Sequence, residues 1–405
     1  MRIVDAWLSW QAIRLVPWEM KKGEMKILHV VPSFGLGGME KVLCAVINAL
    51  PREIEQEILA LNGDLSATAW LCHARVTLRD FIRPRGNLPF FRLLFQAIRA
   101  SCPEVVMTYN WGATDAIWLG RLAGVPYILH SEHGFNADEA TATHWKRNLV
   151  RHVVYRLASK VIVVSHHLKR MLEAQFHIAS DRLVFIPNGL DTNRFVPDDR
   201  TRSRIRQHLG IQDEDLVIGF IGRFDPVKNL PLLLHVVEHC VREDSRFKLL
   251  VIGDGPERAI IQQALAKPIL QGHVMWVGKQ DEVLPYLQAM DIFLLTSLRE
   301  QMPMSMLEAM SVGLPVVATA VGDIPVILSE GEAGVMSALD KAPRHLVAAL
   351  LDLRDPAKRL RMGQAARALV VSRFSQQLMI QRYYEVFRMI GLSAEQQMWF
   401  GACRV

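Results

Sequence analysis

Cysteine is scarce in this chain. Cys44, Cys72, Cys102, Cys240 and Cys403 are scattered through 405 residues, odd in number, and form no Cys-x-x-Cys pair. That pattern argues against a disulfide framework and a thiolate metal centre, and it suits the cytosol. Long apolar runs are also missing: none reaches the roughly 18 residues of a membrane-spanning helix. The opening segment has an early acid, Asp5, only short apolar runs, and no small-residue cleavage site, so it lacks a secretory pattern. There is no zinc-finger spacing and no dense Arg/Lys tract, which argues against a nucleic-acid partner. No convincing Asp-x-Asp metal clamp is found either.

What is present fits a large folded chain. Half of the residues are apolar, enough to bury a sizeable core, and the length suggests two domains or more. The formal charge is +6 with a pI near 9.1, a basic surplus compatible with an anionic substrate or a membrane surface. The chain repeats one grammar in both halves: an apolar strand, a glycine-bearing loop, a helix. That grammar predicts doubly wound α/β domains rather than one barrel.

The most informative stretch runs from Thr296 to Thr319. An apolar strand, Asp291 to Thr296, leads into it, and Val316 to Ala318 forms the next strand. Between them lie two acids, Glu300 and Glu308, and a helical run from Pro303 to Met310 with Ser305 as its expected cap. In a parallel sheet ligands sit at the carboxyl ends of the strands. The helix start, with the Met304 and Ser305 amides, suits an anion, and the acids suit neutral hydroxyls beside it. Spacing alone leaves open an ordinary strand–helix unit with surface acids.

Other strand ends carry polar residues too. Ile27–Val31 is followed by Gly35-Leu36-Gly37-Gly38, whose spacing is not the dinucleotide fingerprint. Tyr127–His130 leads to His133-Gly134. Val161–Val164 ends in Ser165-His166-His167, where adjacent histidines make a poor metal pair. Val217–Ile221 is followed by Gly222-Arg223 and Lys228. A planar guanidinium fork and a mobile ammonium suit a diphosphate, although two surface bases give the same pattern. Lys248–Ile252 ends in the tight turn Gly253-Asp254-Gly255-Pro256, and Pro187-Asn188-Gly189 is a turn followed by a polar linker, Asp198-Asp199-Arg200.

Two segments combine bases with apolar residues. Between Val76 and Arg99, five arginines alternate with Phe81, Phe90, Phe91 and Phe95; Trp145 to Leu157 is similarly basic. Each reads either as a helix with a buried apolar face or as a surface for anionic lipid heads. Residues 1–24, with Trp7, Trp10 and Trp18, are either a short interfacial segment or lie outside the repeating architecture, with initiation at Met25; the second reading is favoured.

Taken in order, Gly37-Gly38, His133-Gly134, Pro187-Asn188-Gly189, Gly222-Arg223 with Lys228, Gly253-Asp254-Gly255-Pro256, and Glu300 with Glu308 resemble the retaining, nucleotide-sugar-dependent glycosyltransferases of family four (group 1). The resemblance covers about residues 25 to 390. It implies the GT-B fold: α/β, two Rossmann-like doubly wound domains facing across a cleft. The expected division is an extension over 1–24, an acceptor-side domain over 25–187, a nucleotide-sugar domain over 188–372, a helix crossing back over 373–390, and a tail over 391–405.

The resemblance further implies His133, Arg223, Lys228 and Glu300 as the catalytic set. Gly37, Gly38, Gly222, Gly253, Met304, Ser305 and Glu308 are implied to bind the donor, a nucleoside diphosphate sugar, with no tightly bound cofactor and no metal required. Within the family, His130–Gly134 and the basic run Trp145–Arg156 resemble sugar transferases of bacterial exopolysaccharide assembly. This implies a glycan or polyprenyl-diphosphate-linked acceptor and a cytoplasmic protein, with the inner membrane face as a site of peripheral contact. The chain departs from the family pattern at Gln301, Asp323 and Val326, expected at the pocket or its rim. A GT-B epimerase or phosphorylase, or a non-catalytic sugar-nucleotide-binding subunit, would use a similar crevice.

Overall fold

The computed structural model describes residues 25–73, 75–134, 145–329 and 331–390. The expectations for residues 1–24 and 391–405 lie outside the described residues.

Two all-parallel sheets form the centre of the fold. The first contains β1 (Lys26–Val31), β2 (Glu55–Ala60), β3 (Val76–Arg79), β4 (Val105–Tyr109), β5 (Tyr127–Glu132), β6 (Lys160–Val163) and β7 (Leu183–Phe185), in the order β3-β2-β1-β4-β5-β6-β7. The second contains β8 (Leu216–Ile221), β9 (Phe247–Ile252), β10 (Val274–Trp276), β11 (Ile292–Leu295), β12 (Val316–Thr319) and β13 (Gly334–Ser337), in the order β10-β9-β8-β11-β12-β13. The central strands are apolar along their length, as in LVIGFI of β8 and IFLL of β11, because helices cover both faces. In each sheet the order reverses beside the first strand, between β1 and β4 and between β8 and β11. Such reversals open a crevice at the strand ends.

The helices of the first half are α1 (Gly38–Ala49), α2 (Asn87–Ser101), α3 (Asp115–Leu122), α4 (Trp145–Val154) and α5 (His166–Phe176). Those of the second are α6 (Asp199–His208), α7 (Leu230–Glu243), α8 (Arg258–Leu265), α9 (Leu284–Ala289), α10 (Met304–Ser311), α11 (Ile324–Ser329), α12 (Ala342–Asp352), α13 (Pro356–Arg373) and α14 (Gln376–Met389). Four apolar clusters result, one on each face of each sheet.

The last helix joins the core of the first sheet. Met379, Ile380, Tyr383, Val386 and Phe387 of α14 pack with Val42, Ile47 and Met107. The chain thus crosses between the sheets twice. The crossings are tied together: Leu190 N donates to Phe374 O and Gln376 N to Leu190 O, both at 2.8 Å. Ser375 caps α14 by accepting from Leu378 N.

The aromatics after β3 are mostly core. Phe90 and Phe95 are buried on α2, Phe81 meets Phe90 edge-on, and the Arg83 guanidinium lies 4.3 Å from the Phe90 ring centroid. Helix α4 is different: Arg151 is buried and 4.7 Å from the Trp111 ring centroid, whereas Leu149, Val150 and Val153 are exposed. Among the described cysteines, Cys44 and Cys240 are buried thiols and Cys102 an exposed one. Cys72 is disulfide-bonded, so the scattered cysteines that argue against a disulfide framework do not exclude a single bridge. No helix among the described residues is long and apolar enough to cross a membrane.

Candidate active site

The reversal between β8 and β11 brings their exit loops side by side. Leu298 N donates to Val227 O at 2.7 Å, and Thr296 Oγ1 donates to Lys228 O at 3.1 Å. These bonds hold Lys228, at the end of a single turn over Pro226–Lys228, against the first of the two acids. Lys228 Nζ donates to Glu300 Oε1 at 2.5 Å, and Ser297 Oγ donates to the same oxygen at 2.7 Å. The Glu300 carboxylate is mostly buried, so the pair is largely shielded from water.

Gly322 makes this arrangement possible. Its φ is +58°, and a Cβ there would stand 1.8 Å from the Glu300 carbonyl oxygen. Only glycine allows the loop after β12 to close on Glu300. Gly253 plays a similar part behind β9: at φ +140° its Cβ would meet the Gly222 carbonyl oxygen at 1.9 Å.

Glu300 faces the first domain across a cavity of about 670 Å³ lined by His133, Gly134, His167, Arg299, Glu300 and Gln301, among others. His133 follows β5 directly. Its backbone N–H donates to Asn110 Oδ1 at 2.8 Å, and Asn110 itself follows β4 directly at φ +53°. The His133 residue remains partly open to the cleft while its Nδ1 is buried. Burial pushes its pKa down to about 4, partly countered by the Glu132 charge, so the ring is neutral near pH 7. Its Nε2 lies 3.0 Å from Ser131 Oγ.

A buried polar cluster holds this loop. Glu132 accepts from the Tyr155 hydroxyl at 2.5 Å and from Gly134 N at 3.1 Å. Burial alone would raise the Glu132 carboxyl, but bonding to His130 and Tyr155 and the charges of His130 and Arg151 hold it below the ordinary carboxylate range.

Arg223 lies elsewhere. It lines a second cavity, also about 670 Å³, with Gly222, Gly253, Asp254, Arg258 and Lys279. Its side chain is 72% exposed and its Nε is 3.2 Å from Asp225 Oδ2, leaving the guanidinium free to swing toward an anion. Neither Arg258, just after the Gly253–Pro256 turn, nor Lys279 carries a site signal in the sequence. Arg258 opens α8 after β9 and Lys279 lies in the loop after β10, and only the strand order shows that these strand exits converge on Gly222. Asn110 was equally hidden, although an Asn-x-Gly at a strand end is a signal for a special backbone conformation.

Helix α10 starts one residue later than expected, and its cap is a correction. Pro303 holds the N-cap position without a side-chain hydrogen bond, and Ser305 lies inside the first turn. The Met304 and Ser305 amides therefore precede the helix's first internal donors, Met306 and Leu307, which both donate to Pro303 O. The glycine loop of the first domain comes up to this helix start: a Cβ on Gly38 would lie 3.8 Å from Met304 Cγ, while Gly37 is the N-cap of α1. Glu308 is buried on α10, outside the linings of both cavities. Burial raises its pKa, and the charges of Lys41 and Arg194 pull it back.

Asp323 does not line the cleft with Glu300, which corrects its expected place at the rim of that pocket. It turns the other way and accepts from the backbone N–H groups of His166 and His167. Gln301 does line the cleft, and Val326 borders a small separate cavity beside Asp323. Among the described residues no group of three or more His, Cys, Asp or Glu is placed to hold a metal ion.

Two doubly wound domains with a basic and acidic cluster at the switch point of the second define a nucleotide-sugar-type glycosyltransferase. The profile of glycosyl transferases group 1 matches residues 201–369 and that of glycosyltransferase family 4 matches residues 36–194, so the chain belongs to this family. It is 27% identical over 320 residues to the UDP-Gal:alpha-D-GlcNAc-diphosphoundecaprenol alpha-1,3-galactosyltransferase of Escherichia coli, covering 73% of this chain and 79% of the relative. It is 28% identical over 260 residues to the N-acetyl-alpha-D-glucosaminyl L-malate synthase of Bacillus anthracis, covering 64% and 67%. The structure of Anabaena Alr3699/HepE in complex with UDP and glucose superposes with a TM-score of 0.78 at 20% identity, covering 90% of this chain and 99% of that one. The GT-B fold expected from the sequence is therefore the fold observed.

Proposed function

We propose that the protein transfers a hexose from a nucleoside diphosphate sugar, with retention of anomeric configuration, to a glycan or polyprenyl-diphosphate-linked acceptor in cell-surface polysaccharide synthesis. The observation that carries this reading is the Lys228–Glu300 pair facing His133 and Gly134 across the cleft. Neutral sugar hydroxyls need a carboxylate acceptor, and a departing diphosphate needs a cation; here the two are adjacent.

In this reading the donor lies on the second domain. Glu308 takes the ribose hydroxyls. Lys228, Arg223 and the Met304 and Ser305 amides take the diphosphate, with Gly37 and Gly38 close against it and Gly222 and Gly253 shaping the floor. Glu300 holds sugar hydroxyls, and neutral His133 stands on the acceptor side. Negative charge grows on the diphosphate as the glycosidic bond breaks. Preplaced donors lower that barrier, and losing one such contact typically costs about 3–4 kcal/mol. The acceptor attacks from the face the leaving group departs, and the donor phosphate takes its proton, so no protein nucleophile is needed and no metal is assigned.

The activity of the Escherichia coli relative, on a diphosphoundecaprenol-linked sugar, supports a lipid-linked acceptor for this chain as well. The exposed Leu149, Val150 and Val153 on a basic helix support peripheral contact with the inner membrane face. The test is a panel of nucleoside diphosphate sugars, reading thermal stabilisation and release of nucleoside diphosphate, with and without membranes carrying lipid-linked acceptor. One donor that both stabilises the protein and yields product with unchanged anomeric configuration is the expected result. Inverted product, or no donor recognised by folded full-length protein with membranes, overturns it.

A further inference from the structure

The N-terminus of α5 belongs to the first domain but is capped by the second. Ser165 closes its own helix in the ordinary way, accepting from Leu168 N at 3.0 Å. The same hydroxyl donates across the domain boundary to Gln301 Oε1 at 2.9 Å. The next two amides also cross it: His166 N donates to Asp323 Oδ2 at 2.6 Å and His167 N to Asp323 Oδ1 at 2.7 Å. Asp323 is 1% exposed and Ser165 fully buried, so these four bonds are shielded from water. A carboxylate on two orphan amides at the positive end of a helix dipole is a strong form of cap.

Both gripping residues belong to one unit. Asp323 N lies 3.4 Å from Gln301 O, and the glycine before Asp323 packs on the Glu300 carbonyl. On the other side, Leu168 and Leu172 fix α5 in the first domain's core, and the His166 ring lies 4.0 Å from that of Phe185. His167 and Met171 of α5 line the same cleft as His133 and Glu300. The grip therefore sets the distance between the two walls of that cleft.

We infer that Asp323 and Gln301 are positioning residues that clamp the helix α5 N-terminus and hold the two domains closed over the transferred sugar. Closure completes a site assembled from both domains and keeps water out. The clamp stands on the geometry alone; its effect on turnover rests on reading the cleft as the transfer site. Gln301, next to the sugar acid and bonded to Ser165, links occupation of the cleft to the grip. Opening exchanges these three bonds for bonds to water and draws the Asp323 carboxylate away from the helix N-terminus.

The test uses full-length protein and a graded series at one position. Asp323→Asn keeps one good acceptor for two amides, and Asp323→Ala keeps none. In ligand-free protein, hydrogen exchange at the His166 and His167 amides should accelerate at least about tenfold in Asp323→Ala and less in Asp323→Asn, with β6 unchanged. The radius of gyration from solution scattering should rise in the same order. With the donor identified, kcat should fall at least about tenfold in Asp323→Ala while nucleoside diphosphate affinity stays within about twofold, because that ligand is held by the second domain. Ser165→Ala should move the same quantities in the same direction. Unchanged exchange and scattering in Asp323→Ala overturn the clamp. Faster exchange with unchanged kcat reduces it to a structural cap and overturns the positioning role. If wild-type protein recognises no donor, the functional reading fails by itself, and exchange and scattering still decide whether the clamp exists.

Discussion

Lys228 and Glu300, 72 residues apart in sequence, meet at 2.5 Å across the reversal between β8 and β11. Each is the other's partner in the fold. The cation that would serve a diphosphate and the acid that would serve a sugar are thus stored as a neutral pair. Removing one leaves the other largely buried and uncompensated. Lys228→Ala is expected to lower turnover at least about tenfold; full loss of one cation at the departing diphosphate, about 3 kcal/mol of barrier, corresponds to roughly a hundredfold or more. Steady-state kinetics with circular dichroism checks this; unchanged turnover at saturating donor in a folded variant removes Lys228 from the mechanism.

Gly322→Ala tests the loop that closes on Glu300. The new Cβ would overlap a carbonyl oxygen, a backbone atom that no rotamer change can move aside, at a φ of +58°. The variant is expected to lose at least about 2 kcal/mol of stability from overpacking and strain, together with most of its turnover as Glu300 is displaced. Chemical denaturation and turnover measure the two effects. Gly331→Ala, at a position where nothing lies within 4 Å, is the matched control and should change neither.

Helix α14 is expected to fasten the first domain to the returning chain. Phe387 is fully buried among residues of α1 and β1. Phe387→Ala removes its contacts and leaves a cavity, and it should cost about 3–5 kcal/mol. Denaturant titration checks the magnitude, and limited proteolysis after Phe374 should become faster if the helix undocks.

Stability should also depend on pH through His29. Its Nδ1 lies 2.9 Å from the Tyr109 hydroxyl and its Nε2 3.2 Å from Gln56 Oε1. Gln56 in turn donates its amide to Ile47 O, so Oε1 faces the histidine as an acceptor and Nε2 must donate. Burial lowers the His29 pKa from 6.5 to about 4. The unfolded chain therefore binds a proton that the native state refuses between those values. Stability from this group is intact above about pH 6.5 and falls as the pH drops toward 4, by up to about 3 kcal/mol. Urea unfolding of wild type and His29→Gln across this range should give a shallower slope for the variant. Parallel slopes would show that His29 is not the group.

Much of this site was readable in the chain because its parts are local. A strand end followed by glycine and a base, as at Gly222-Arg223, or by an acid, as at Glu300, announces itself within a few residues. The partners of Asp323 are backbone amides 156 and 157 residues away, and amides have no sequence signature. Arg258 and Lys279 become relevant only once the order β10-β9-β8 is known. The cap of α10 failed for a different reason: Pro303 and Ser305 are both acceptable at a helix start, and local preference does not separate positions two residues apart.

Glu308 offers the sharpest test of how the donor is held. Its carboxyl is buried, its pKa is raised by that burial, and Lys41 of the first domain and Arg194 supply the nearby positive charge. If the carboxylate accepts from ribose hydroxyls, Glu308→Gln should raise donor KM at least about tenfold with a smaller change in kcat, the pattern of lost ground-state binding. A nucleoside diphosphate lacking both ribose hydroxyls separates this from simple damage to the fold. Wild type should bind that analogue more weakly than the parent nucleotide, and Glu308→Gln should bind the two nearly alike, because the hydroxyls and the carboxylate form one interaction. Titration calorimetry on the four combinations gives the coupling directly. A variant that loses equal affinity for both nucleotides would show that Glu308 supports α10 rather than the ribose.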